Sequence, residues 1–442
     1  MQVGYFLLVV GIVMTNLVLL VRVPRRGLLF ALTLVTFCND SLPWELFSTK
    51  RIATLFEVAV VLLCLVYLIL IREDRVTALS NSINLYTILA IVFLVQMIVF
   101  LPLSHSFSYG VFKIEVFAVQ GILPLLAYVA LSPFTDKDLQ AVVWSMGLGA
   151  GLMTVKVLVT GNLVTVSLAH ALVNPDVIAF GRYIGYGLTI LVVAYFLGKI
   201  QGLWRNLLVL ASMAVMTTAI LLVGERGPVV GVLVSLVVTT VIAFNHYRTR
   251  VEYLYRFGLL AALGALAILG TNWMHVEAAR SLRVLNFLSQ IPTLGLSGSS
   301  AGRMERYAVA WQAFVQSHGL GIGTGDFAVY YGSAYYDYPH NLIMEILSEQ
   351  GLIGIVLFLA LIFVTVRQLG LLIKTPEWTL SLRILFAVWV YDFFNAQVSG
   401  DIGANATMWT LGAVFWMLTR SAVAESLGVE WSYARVQGGQ LG

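Results

Sequence analysis

Apolar runs of about 20 residues, the length that carries a helix across a bilayer, recur along almost the whole of this chain. They begin near Val3, Gly27, Ile52, Ile83, Val111, Leu139, Tyr183, Asn206, Pro228, Phe257, Asn341, Ile384 and Ala404. Lipid offers the backbone no hydrogen bonds, so only helices or closed barrels span it, and continuous apolar runs select helices. The expectation is an all-α, polytopic integral membrane protein with about 13 transmembrane helices (roughly 12–14), forming a single integral membrane domain over residues 1–442. Composition agrees, with 60% hydrophobic and 11% charged residues and a mean hydropathy of +0.90. Soluble domains have about 45–50% apolar and 25% charged residues. The net charge of +4 records membrane topology, and no nucleic-acid partner is expected. Cys38 and Cys64 lie in apolar segments, so neither a disulfide framework nor a cysteine metal site is supported. The start, MQVGYFLLVV, lacks a basic leader and a small-residue cleavage site, which reads as a retained span.

Lysine and arginine fall unevenly on alternate loops. Arg22, Arg25, Arg26, Arg72, Arg75, Lys137, Lys199, Arg205, Arg248, Arg250, Arg256, Arg367, Lys374, Arg383 and the tail residues Arg420 and Arg435 share one side; a smaller set, including Arg182, Arg226, Arg303 and Arg306, lies on the other. The richer side is cytoplasmic by the positive-inside rule, which puts the N-terminus outside and the C-terminus inside. Two outer segments stand out, at about 161–182 and 272–340. The second is the only long loop expected, and loops of that length in compact folds are usually functional. Within it Met304, Tyr307, Trp311, Phe314 and Val315 follow helical spacing, as in an amphipathic helix at a membrane surface.

Candidate chemistry gathers on that outer side. Arginines at helix ends commonly snorkel to lipid phosphate. Several of them beside the long loop, on the side that disfavours them, point instead to an anionic ligand, since guanidinium forks grip phosphate and stay charged. At Pro339-His340-Asn341 a tyrosine- and glycine-rich loop gives way to an apolar helix, with proline and asparagine as start signals. His340 is a candidate general base near neutral pH; a cap-adjacent interfacial histidine is the plainer reading. Asn341, Glu345 and Glu349 share one face of that helix by their four-residue spacing. The carboxylates suit either a buried structural pairing or catalysis. Lys113, Glu115, Lys156, Glu57 and Asp392 read as packing or cavity polar groups. No zinc-type His spacing occurs, and no metal or other cofactor is expected. The glycine run 319–325 lacks the Lys-Ser/Thr of a phosphate loop, so its glycines read as turn formers. Gly295-Leu296-Ser297-Gly298 has the form of an intramembrane serine protease motif but lies in a loop, which makes it a weak signal.

Together the GERGP turn at 224–228, the Gly302-Arg303 to Trp311 helix, the GLGIGTGDF run and the block PHNLIMEILSEQGLIG resemble the O-antigen ligase and O-antigen polymerase superfamily of bacterial envelope glycosyltransferases. The resemblance covers about the C-terminal half of the chain. It implies a GT-C-like helical enzyme in the bacterial inner membrane with a periplasmic active site and no metal. The implied donor is a glycan on undecaprenyl pyrophosphate. The acceptor would be another lipid-linked glycan for a polymerase or lipid A–core for a ligase; ligases of the family usually have twelve spans with both ends inside, and the extra span expected here inclines the reading to a polymerase. Carried over by position, Arg182, Arg226 and Arg303 would hold the pyrophosphate and His340 would activate the acceptor hydroxyl, inverting the anomeric centre. Arg306, Asn341, Glu345, Glu349 and Asp326 would support them. A transporter or flippase of lipid-linked glycans is the alternative from another class. It would want polar groups at the membrane midplane and internal repeats, whereas here the polar groups cluster on the outer side.

Overall fold

The computed structural model describes residues 2–38, 50–71, 84–132, 134–160, 176–197, 202–223, 226–243, 299–333, 337–373 and 378–426. The span expected near Phe257, the connection 161–175 and the first part of the long loop, 272–298, lie outside the described residues. Among the described residues every regular element is a helix.

The first nine helices are α1 (Gln2–Arg22), α2 (Pro24–Cys38), α3 (Lys50–Val66), α4 (Leu85–Phe100), α5, α6 (Asp136–Thr160), α7 (Asp176–Leu197), α8 (Leu203–Val223) and α9 (Arg226–Ala243). In α5, Phe107–Val116, a π-helical stretch Phe117–Ile122 and Leu123–Leu131 run end to end. Then come α10 (Ser299–Gln316), the single turn α11 (Phe327–Tyr330), α12 (Leu342–Leu372), α13 (Leu380–Ala396) and α14 (Ala406–Ser426). Among the described residues six stretches are long and apolar enough to cross a membrane: Leu85–Leu103, Phe107–Leu131, Asp136–Leu158, Ala179–Leu197, Leu203–Leu221 and Leu342–Leu372. Four shorter apolar helices accompany them. This is a multi-pass membrane protein.

Burial separates centre from rim. α7 is central, with 78% of its apolar window buried, whereas α8 has 22% buried and faces outward. Near the core, Trp409 of α14 packs against Phe93, Phe117 and Phe358 at ring-centroid distances of 5.1, 5.4 and 5.5 Å. One end of the bundle is tied by Arg25 and Arg26, which converge on Asp138 at 3.3 and 3.2 Å. At the opposite end gather the 101–106 turn, α10, the glycine run, the start of α12 and the 397–405 loop.

α12 is interrupted. Gly351 has φ 64° and ψ −156°, which divides the helix into a short N-terminal half and a long second half. The glycine run docks into this break. Ile322 and Gly323 donate from their backbone amides to the Ser348 and Glu349 carbonyls at 2.9 and 3.1 Å, and Leu352 donates to Gly319 at 2.8 Å. Gln96 of α4 donates to the Gln350 carbonyl at 3.1 Å. Backbone groups freed by the break are therefore satisfied by protein, as a membrane interior requires. A Cβ on Gly351 would lie 2.4 Å from the Leu320 carbonyl. Gly351→Ala should cost more than the roughly 1–2 kcal/mol of left-handed strain alone, read as a lowered Tm in micelles. An unchanged Tm would mean that the break is not needed.

α10 differs in detail from its expected stripe. Met304, Trp311 and Val315 are exposed, while Ala310 and Ala313 are buried and α10 packs along α12. Tyr307 and Phe314 are half-buried. The expected five residues thus divide between two adjacent strips, because 100° per residue sets 304, 311 and 315 apart from 307 and 314.

Candidate active site

The start of α12 is built by its cap. Asn341 is extended, at φ −151°, and its Oδ1 accepts from the Met344 amide at 3.0 Å. Its Nδ2 donates to the Gln397 carbonyl at 3.0 Å, which fastens the cap to the 397–405 loop. The residue before it, His340, has φ 58°, a conformation costing a side-chain-bearing residue about 1–2 kcal/mol. Strain of this kind is retained where the surroundings over-determine it, often at functional sites. The imidazole lies against the Tyr338 ring, with centroids 4.3 Å apart and planes tilted by 53°. Its Nδ1 is buried and has no hydrogen-bond partner among the described residues. Burial, then the charges of Arg303 and Arg306, push its pKa down to about 4, against weaker opposition from Asp337 and Asp401. At neutral pH it is an uncharged base beside positive charge.

The two arginines of α10 are not equivalent. Arg306 is committed: Nε meets both Asp337 oxygens at 3.2 and 3.3 Å, and Nη2 meets Oδ2 at 3.0 Å. Its Nη1 donates to the Gly302 carbonyl, and its guanidinium stands 4.9 Å from the Tyr331 ring centroid. Arg303, one turn earlier and half-buried, makes no hydrogen bond or ion pair among the described residues. Its charge still reaches His340.

Arg182 is buried in a cage of carbonyls. Nη1 donates to Ala404 at 3.1 Å, and Nη2 to Ser399 at 2.5 Å and, at the limit of bonding, to Asn395 at 3.5 Å; Nε is buried and has no hydrogen-bond partner among the described residues. Gly400, at φ 77°, lets the loop wrap this closely, since a Cβ there would lie 2.9 Å from Nη2. Arg226 is the first residue of α9, and its side chain lies outside what is described. The next residue, Gly227, abuts the same loop, where a Cβ would lie 3.1 Å from Val398.

Glu345 and Glu349 face inward together, as their spacing predicts, and meet Lys113 of α5. Its Nζ donates to Oε1 of each at 2.7 Å, and all three side chains are fully buried. Glu345 Oε1 also accepts from the Ile402 amide at 3.2 Å, and Glu349 Oε2 from the Gly325 amide at 2.9 Å. Asp326 gathers the 104–106 turn through the His105 and Ser106 amides at 2.7 and 3.0 Å and the His105 ring at 3.0 Å. The structure therefore brings His340, Arg303 and Arg306 together, and ties them through Asn341 to the loop that cages Arg182. It places Glu349 and Asp326 in the clasps that hold the glycine run.

Sequence reasoning missed Asp337, Tyr338, Gly400 and Asp401. Tyr109 donates to Asp401 at 3.0 Å, and Asp401 accepts from the Ala404 amide at 2.8 Å. The available signal was the polar, glycine-bearing run SGDIGAN at 399–405 between two apolar spans. Among the described residues no group of three or more His, Cys, Asp or Glu is placed to hold a metal ion.

Residues 211–359 match the family model described as O-antigen ligase. Through this stretch the chain is similar to the O-antigen ligase and polymerase superfamily, which supports the resemblance read from the sequence. No curated protein matches the chain. The O-antigen ligase stretch is about a third of the chain and holds α9, α10, the glycine run, His340 and the break at Gly351. Lys113, Arg182 and the 397–405 loop lie outside it. The match supports a glycosyl-transferring membrane enzyme of ligase or polymerase type, with lipid-linked glycan and lipid A–core as the substrates the family implies in general.

Proposed function

We propose that this protein is a GT-C-like glycosyltransferase of about 13 spans in the bacterial inner membrane. In this reading it moves a glycan from undecaprenyl pyrophosphate to an acceptor hydroxyl at its periplasmic end, without a metal and with inversion. The observation that carries the reading is His340: a strained, partly buried, neutral imidazole beside Arg303, whose charge has no partner among the described residues. The acceptor oxygen attacks the anomeric carbon as its proton passes to the imidazole. The bond from that carbon to the phosphate oxygen breaks, and undecaprenyl pyrophosphate leaves with the electron pair. Arg303 and Arg226 stabilise the charge that develops there. Arg182, bonded to carbonyls rather than carboxylates, adds positive charge to the same field.

Growth of surface polysaccharide by a polymerase is the first reading, resting on the span count. Ligation to lipid A–core is the second, favoured by the family's own description. Mass spectrometry of lipid-linked glycans and lipopolysaccharide after deletion separates them. Chains halted at one repeat unit mean a polymerase, and full-length chains missing from lipid A–core mean a ligase. Unaltered glycans in both pools would overturn the proposal.

Transfer is expected to persist in EDTA, and Arg303→Lys to be impaired nearly as much as Arg303→Ala, because an ammonium cannot reproduce the planar fork. Both variants should weaken donor binding as well as rate. Loss of transfer on chelation with recovery on adding magnesium would refute the metal-free reading.

A further inference from the structure

We infer that Tyr338 is the positioning residue of the base, holding the His340 imidazole by ring contact where a carboxylate usually holds it by hydrogen bond. A catalytic histidine is ordinarily fixed in plane and tautomer by a partner on its far nitrogen. Here Nδ1 is buried and has no such partner among the described residues. The ring contact fixing the plane is Tyr338, at 4.3 Å.

Tyr338 is itself anchored. Its hydroxyl lies within the electrostatic reach of the Gly400 backbone, Asp401 and Arg182, and Gly400 is the glycine against which the Arg182 guanidinium lies. Burial above all pushes its pKa up to about 12, so the hydroxyl stays neutral through the working pH range. Pro339, fixed in φ, connects the two rings, and the Asn341 cap follows at once. One side chain thus spans from the base to the loop that cages Arg182. A shift on the order of 1 Å in a reacting group can cost about 10²-fold in rate, so the anchoring bears directly on turnover.

The inference rests on His340 acting as the base, and the experiment separates the two. Transfer kinetics are measured for His340→Ala, Tyr338→Leu, Tyr338→Phe and the double variant His340→Ala/Tyr338→Leu, each checked for insertion and monodispersity. Tyr338→Leu should lower kcat by about 10–100-fold with the donor KM little changed. Tyr338→Phe, which keeps the ring and loses the anchor, should fall between it and wild type. In the double variant the tyrosine change should add no further loss, because its effect passes through an imidazole already removed. Independently of turnover, diethyl pyrocarbonate should modify His340 faster in Tyr338→Leu than in wild type, read by peptide mass spectrometry.

Near wild-type transfer by His340→Ala would overturn the base assignment, and this inference with it. Loss in His340→Ala with multiplicative loss in the double variant, or with unchanged His340 modification in Tyr338→Leu, would overturn the positioning role alone.

Discussion

Replacing His340 with alanine is expected to slow glycan transfer by at least about 10²-fold, the usual worth of a general base, while donor binding stays close to wild type. The acid limb of the wild-type profile is the sharper test. The folded pKa is depressed to about 4 by burial and by Arg303 and Arg306, so the basic form predominates above that value and is lost only as pH falls through it. The profile of kcat/KM, which reports the free enzyme, should therefore be flat through neutrality and fall only near pH 4. A bound pyrophosphate offsets the two arginine charges, so the limb in kcat should lie at higher pH. The alanine variant should show neither limb. A kcat/KM limb near 6.5, with His340→Ala still active, would assign the base elsewhere.

The other large effect is on folding. Lys113→Met should destabilise the protein by about 3–5 kcal/mol, because it leaves Glu345 and Glu349 buried without their cation. Replacing the whole cluster (Lys113→Met, Glu345→Gln, Glu349→Gln) should recover folded protein, since neutral isosteres of a buried ion cluster often cost little. The measurement is the yield and Tm of monodisperse protein in micelles. If the single variant is as stable as wild type, or the triple variant no better than the single, the cluster is not what joins α5 to α12.

What was legible in the sequence was local. The four-residue spacing of Asn341, Glu345 and Glu349 gave a shared face, and the Pro-His-Asn run gave the helix start. Both follow from periodicity and capping chemistry. Lys113 could be seen as a charge in a span, but its partners stand 232 and 236 residues away, a distance no periodicity reaches. Gly351 is one glycine within an apolar run, which by itself only lowers helix propensity. That it breaks the helix depends on the glycine run docking there. Tyr338 and Asp337 were hidden among tyrosines in a loop without a regular period, and their roles follow from contacts with α10 and α12. Arg182 was legible as an outer-end arginine, whereas its carbonyl cage depends on a loop more than 200 residues later.

The break in α12 also changes the lever on which His340 is carried. Bilayers of different thickness are accommodated largely by tilting of spanning helices, which average about 20° from the normal. A continuous α12 would carry His340 on a lever of roughly 13 Å beyond Gly351, and such a tilt would swing its tip by about 4–5 Å. The knee at Gly351 is instead clasped on both sides by the glycine run, through Ser348 and Glu349 before it and Leu352 after it, and the first half is fastened besides to Lys113 and the 397–405 loop. His340 is thereby placed by the loops packed around it and not by the direction of a single spanning rod.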